Sequence, residues 1–171
     1  MTRDHRPLAV LGAGIMGHGI AHAALCAGYT TRLYDISDAP LAAARGAIEA
    51  TVARVVTEAV GDAGVIIEAA PERIDVKLAL LAKVQRAAPA EAVIARNTSA
   101  LRITEMAAVL DRPGRMGGMH FFNPVLKMKL VEVVRALETT DATVQAMTAV
   151  AVAMGKETVL QEGVASARDI D

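Results

Sequence analysis

His120 and Glu132 lie in "GMHFF" and "LVEVV", two runs that otherwise read as buried strand. A glutamate inside an apolar strand is costly unless a partner compensates its charge. An imidazole on an adjacent strand is a natural partner. The carboxylate orients the ring and stabilises its protonated form, so the other ring nitrogen can act as a base near neutral pH. Spacing alone leaves the alternative open, a satisfied core histidine beside an unrelated edge glutamate. Both phenylalanines of the chain follow His120 directly. Neighbours on a strand face opposite sides, so Phe121 and Phe122 are expected to wall the pair, one toward the core and one toward a cleft.

A second constellation is "VLGAGIMG", with Gly12, Gly14 and Gly17 spaced as G-x-G-x-x-G. It follows an apolar strand and opens a helix. The first glycine permits a tight turn, the second lets backbone amides approach a pyrophosphate, and the third lets helix and strand pack closely. The helix start adds unpaired N–H groups and a positive dipole end. Asp35 ends the next strand, where a carboxylate accepts both ribose hydroxyls of NAD and repels the 2′-phosphate of NADP. The alternative is a glycine-rich turn in an α/β protein that binds no nucleotide. His18 and His22 have a metal-compatible i, i+4 spacing, but no further ligands accompany them, so they read as surface or packing residues. Cys26 reads as inert, Met116, Met119 and Met128 as core or cleft lining, and Lys127 and Lys129 as solvated charges.

The elements that must position these groups alternate. Strands are expected at 7–11, 30–34, 64–69, 92–95, "MGGMH", "LVEVV" and "ETVL" (157–160). Helices are expected at 15–28, from near Pro40 to about Val56, at 74–87, at 103–110 and at 141–154. This pattern predicts an α/β fold, a doubly wound, mainly parallel Rossmann-type sheet with helices on both faces. The chain has 171 residues, enough for one domain with a real core. A hydrophobic share of 53% marks it as globular, and a net charge of −1 gives no reason to expect nucleic acid or an anionic membrane as partner. The single cysteine excludes an internal disulfide. No apolar run reaches the ~20 residues of a membrane helix, and no signal-peptide core is seen, so the expectation is a soluble cytoplasmic protein.

"GAGIMGHGIA", "LYDIS", "VIIEAAPE", "NTS", "GMHFFNPV" and "MKLVEVVR", in this order, resemble the NAD-binding domain of L-3-hydroxyacyl-CoA dehydrogenases, the 3-hydroxybutyryl-CoA branch above all. The resemblance covers most of residues 7–160. It implies NAD as cofactor, an acyl-CoA substrate, a place in fatty acid metabolism and β-oxidation, and a homodimer formed through a helical C-terminal domain. It implies His120 as the general base with Glu132 as its orienting partner. Ser99 would bond the substrate oxygen or thioester region, and Asn97 and Asn123 would line the cofactor and substrate cleft. Gly12, Gly14, Ile15, Met16, Gly17 and Asp35 would hold the dinucleotide, Glu72 and Lys77 its nicotinamide side, and Thr51 would meet coenzyme A. No metal is implied.

Two joins depart from the family. Between Val56 and Gly64 the chain passes almost directly from helix to strand, where family members carry a helical hairpin and the third strand of a 3-2-1-4 sheet. Near Val159–Leu160 the final strand runs into "LQEGVASARDID", which resembles a piece of the C-terminal helical domain. The expected division is an NAD-binding domain over 1–159, with an omission near 56–58, and a fragment of the helical domain over 160–171. Ala100 and Leu126 also differ from the family's usual serine and proline.

Overall fold

The computed structural model describes residues 6–35, 56–70, 74–97, 103–108 and 110–162. Their order is β1 (Leu8–Leu11), α1 (Ile15–Cys26), β2 (Thr31–Tyr34), a helical stretch at 56–60, β3 (Val65–Glu68), α2 (Ile74–Ala87) and β4 (Val93–Arg96). After these come α3 (Ile103–Ala107), β5 (Met116–Phe121), β6 (Leu130–Arg135), α4 (Asp141–Ala153) and β7 (Glu157–Glu162). The strands form one seven-stranded sheet ordered β2-β1-β3-β4-β5-β6-β7. Every pairing is parallel except β5 with β6. The Rossmann-type architecture expected from the alternating pattern is what the chain adopts.

The apolar runs become central strands because a parallel sheet covered on both faces buries every side chain. All four residues of β1 and of β4 are buried. Alternation divides them between two cores. Leu8, Val10, Ile67, Met119, Phe121 and Val133 pack with α1 and α4. Ala9, Leu11, Ile66, Ile94, Met116 and Val134 pack with the 56–60 helix, α2 and α3. On β5 and β6 the parity that places Met116 and Val134 on the α2/α3 face also places His120 and Glu132 there.

Sequence expectations and structure differ mainly at element ends. α1 stops at Cys26, and Gly28 turns the chain with φ +84°. Where a helix is expected to end near Val56, the described residues 56–60 are helical, and Gly61 N donates to Thr57 O and Ala63 N to Val60 O before β3 begins. The helix expected over 103–110 ends at Ala107. β7 runs on to Glu162, paired in parallel with β6 over its full length, so Leu160–Glu162 belong to the sheet. Met116 and Met119 are core residues, but Met128 is exposed, and so is Cys26. Among the described residues no strand lies beyond β2, so β2 is one edge of the sheet and β7 the other. The first part of the expected 40–56 helix, with Thr51, falls outside the described residues, as do Glu72, Ser99, Ala100 and the chain after 162.

The glycine loop shows why its spacing matters. Gly12 has φ +109°, a region L side chains rarely adopt, and a Cβ there would sit 2.6 Å from Ala69 O. A Cβ on Gly17 would lie 1.7 Å from Gly12 O, so the first turn of α1 could not approach the loop. A Cβ on Gly14 would meet no described residue within 4 Å beyond its chain neighbours and the backbone of α1. Gly17→Ala should therefore cost at least about 3 kcal/mol, and Gly14→Ala about 1 kcal/mol or less. Urea denaturation of both variants measures the contrast, and equal losses would contradict it.

Candidate active site

In a parallel sheet the C-terminal ends of the strands share one edge, and ligands bind in the crevice outside it. β1, β3, β4 and β5 end there in Leu11, Glu68, Arg96 and Phe121. The glycine loop leaves β1 at this edge and His120 lies at the end of β5. Two strands stand between β1 and β5, so the loop and the histidine are about 14 Å apart across the sheet. That span suits an extended ligand lying along the strand ends.

β5 and β6 pair antiparallel with His120 directly opposite Glu132. Their side chains share one face, and His120 Nδ1 lies 2.8 Å from Glu132 Oε2. Each side chain is 27% exposed, which keeps the pair partly dry yet open to a reactant. With Nδ1–H donated to the carboxylate, Nε2 is left as the acceptor. Phe121 points to the opposite face and is buried in the core of α1 and α4. Phe122 is half-buried, its ring 4.6 Å from that of His120 and tilted by 49°. One phenylalanine thus faces the core and the other packs on the histidine.

The glycine loop has the features of a pyrophosphate cradle. Gly14 is the N-cap of α1, no side chain caps the helix, and its first turn carries no acidic residue. The open space at Gly14 admits a group against these amides. Ile15 is 79% exposed at the same helix start, and Met16 is half-buried. Asp35 reaches the loop from the end of β2, where its Oδ2 accepts the Ala13 N–H at 2.6 Å. His18 is held on the loop by a 2.8 Å contact between Nδ1 and Ala13 O. Among the described residues no group of three or more His, Cys, Asp or Glu could hold a metal ion, and His18 and His22 stand on an exposed face of α1.

Asn97 follows β4, and its Oδ1 accepts the Phe121 N–H at 3.0 Å, tying the ends of β4 and β5 together beside His120. Asn123 is exposed in the loop after β5. Lys77 is only 1% exposed, and its Nζ lies 3.3 Å from Glu68 Oε2. Arg96 Nε lies 3.4 Å from the same oxygen, and Glu68 Oε1 accepts the Ala70 N–H at 2.6 Å. Burial pushes the Glu68 carboxyl up, against the pull of Lys77, the Ala70 amide and Arg96. This buried cluster joins α2 to the ends of β3 and β4 on the face that carries His120. Sequence reading missed Glu68 and Arg96; the signal was present, a charged residue closing each of two apolar strands.

Fold, loop and site together define a dinucleotide-binding Rossmann-type domain with an imidazole–carboxylate pair at the crevice. Residues 7–58 and 55–164 match the family model described as "3-hydroxyacyl-CoA dehydrogenase, NAD binding domain". The chain belongs to that family, and its cofactor is NAD. It is 37% identical over 181 residues to 3-hydroxyadipyl-CoA dehydrogenase of Escherichia coli K12, covering 93% of this chain and 38% of that one. To the probable 3-hydroxybutyryl-CoA dehydrogenase of Bacillus subtilis it is 38% identical over 178 residues, covering 90% and 61%. The crystal structure of (S)-3-hydroxybutyryl-CoA dehydrogenase from Ralstonia eutropha superposes with a TM-score of 0.76 at 30% identity, covering 94% of this chain and 65% of that one. The chain thus spans between 38% and 61% of the length of these two curated relatives.

Asp35→Asn keeps an acceptor for the Ala13 amide and removes the charge. It should lower the preference for NADH over NADPH by roughly tenfold, on the order of one charged hydrogen bond. Titrating both cofactors by fluorescence measures the ratio, and an unchanged ratio would remove Asp35 from the choice between them.

Proposed function

We propose that the protein catalyses the reversible, NAD-dependent oxidation of an L-3-hydroxyacyl-CoA to the 3-ketoacyl-CoA. The observation that carries this reading is the 2.8 Å His120–Glu132 pair at the C-terminal edge of an NAD-binding sheet. His120 Nε2 takes the proton of the 3-hydroxyl as the C–H bond breaks, and returns it in the reverse direction. Glu132 holds the tautomer and stabilises the imidazolium. NAD, when bound, accepts the hydride. The chain's own work is to position and to exclude water: the glycine loop and Asp35 hold the dinucleotide, and Phe122 shields the imidazole.

Site roles carried over from the family complete the reading. Asn97 and Asn123 line the cleft, Ser99 meets the substrate oxygen or thioester region, Glu72 and Lys77 serve the nicotinamide side, and Thr51 meets coenzyme A. Burial gives Lys77 a second duty as the partner of Glu68. The 3-hydroxybutyryl-CoA dehydrogenases among the relatives favour a short acyl chain. By the same kinship we place the protein in fatty acid breakdown, in the cytoplasm, as a homodimer formed through a C-terminal domain. Among the described residues no helix is long and apolar enough to cross a membrane.

The omission near 56–58 is part of this proposal. The family match falls into two pieces that meet at 55–58. The alignment with the Escherichia coli relative spans 181 positions and covers 93% of the 171-residue chain, about 159 residues, so about 22 of its positions (181 − 159) face gaps in this chain. Among the described residues β2 has no neighbour on its outer side, where a third strand would pair.

The competing readings are a related dehydrogenase of a free β-hydroxyacid or of carnitine, and an NAD-binding protein without turnover. Acetoacetyl-CoA with NADH separates them. The account predicts turnover that falls by about 10²–10⁴-fold in His120→Gln, with NADH affinity unchanged. Turnover insensitive to the substitution would remove His120 from its role. NADH binding without turnover in the unsubstituted protein would favour the silent reading.

A further inference from the structure

Lys156 has no part in the scheme above, yet among the described residues it is the one buried lysine outside the Glu68 cluster. It is buried, and burial holds its ammonium below the ordinary lysine pKa. No carboxylate among the described residues pairs with it. Its Nζ instead donates to two backbone carbonyls, Val125 O at 2.5 Å and Met128 O at 2.9 Å.

The local sequence explains how it gets there. α4 ends in a left-handed turn at Gly155, with φ +73°. Gly155 N donates to Val152 O and Lys156 N to Ala151 O, the paired bonds of a Schellman end. That turn redirects the chain into β7 and aims Lys156 at the loop between β5 and β6. In the loop, the amides of Lys127 and Met128 both donate to Pro124 O, closing a single turn. The carbonyls that Lys156 meets belong to that turn, and a cation is favourable where carbonyl dipoles converge. Val125, the loop's buried side chain, packs against α1, where a Cβ on Gly19 would lie 2.7 Å from Val125 Cβ. The loop is therefore held between the nucleotide helix and the ammonium. It begins with Phe122, against His120, and Asn123.

We propose that Lys156 is a positioning residue: its ammonium clamps the β5–β6 loop and so fixes Phe122 and Asn123 beside His120. The effect on turnover rests on the proposed dehydrogenase function; the effect on the loop does not. Lys156→Met keeps the stem and removes the charge. It should lower kcat for acetoacetyl-CoA reduction by about tenfold or more, as a small misplacement near reacting atoms does, while leaving the dissociation constant of NADH unchanged. In NMR spectra of the same variant the Asn123 side-chain amide and the His120 ring signals should shift. A lower melting temperature with kcat and those signals unchanged would make Lys156 a stability residue only and overturn the proposal. If the unsubstituted protein shows no turnover, the proposed function fails and the NMR shifts alone decide the clamp. If Lys156→Met does not fold, the side-chain ammonium protons of Lys156 in the unsubstituted protein decide: exchange far slower than that of the exposed Lys127 and Lys129 supports the clamp, and exchange at their rate overturns it.

Discussion

The site depends on one register. In the antiparallel pairing of β5 with β6, His120 stands opposite Glu132 and their side chains meet at 2.8 Å. A slip of one residue would send one of them to the other face of the sheet. It would leave Glu132 half-buried without its imidazole and His120 without a group to fix its tautomer. The apolar neighbours enforce the register, since Phe121, Val131 and Val133 must stay in the core of α1 and α4. Packing on one face thereby sets chemistry on the other.

The rest of the molecule brings that pair to the sheet edge that also carries the glycine loop. Parallel strands from β1 to β5 give a common edge, and the glycine loop and the histidine occupy its two ends. Between them, Glu68 ties Lys77 and Arg96 beneath the crevice, and Asn97 ties the end of β4 to Phe121. Glycine enters where backbone must approach backbone, at Gly12 and Gly17, and a Cβ on Gly14 would meet open space. Buried charge and missing side chains serve the same end, a rigid edge with room along it.

Much of this was legible in the sequence. Short apolar runs alternating with alanine-rich helices announced the parallel sheet, because burial on both faces leaves no polar position to mask the pattern. The glycine spacing announced the loop, because only one turn geometry needs all three. The pairing of His120 with Glu132 was legible as a cost that needed a partner, though spacing alone could not prove adjacency. Less legible were element ends, such as β7 reaching Glu162, since pairing with β6 rather than local preference carries that strand onward. Lys156 was invisible for a different reason. Its partners are main-chain carbonyls some thirty residues away, and carbonyls leave no trace in residue identity.

On the proposed mechanism His120 and Glu132 act as one unit in proton transfer. A double-substitution cycle on kcat, with His120→Gln, Glu132→Gln and both together, tests it most directly. If Glu132 works only through the imidazole, the double variant is no slower than His120→Gln alone. If the two losses multiply, the residues act independently and the account is contradicted.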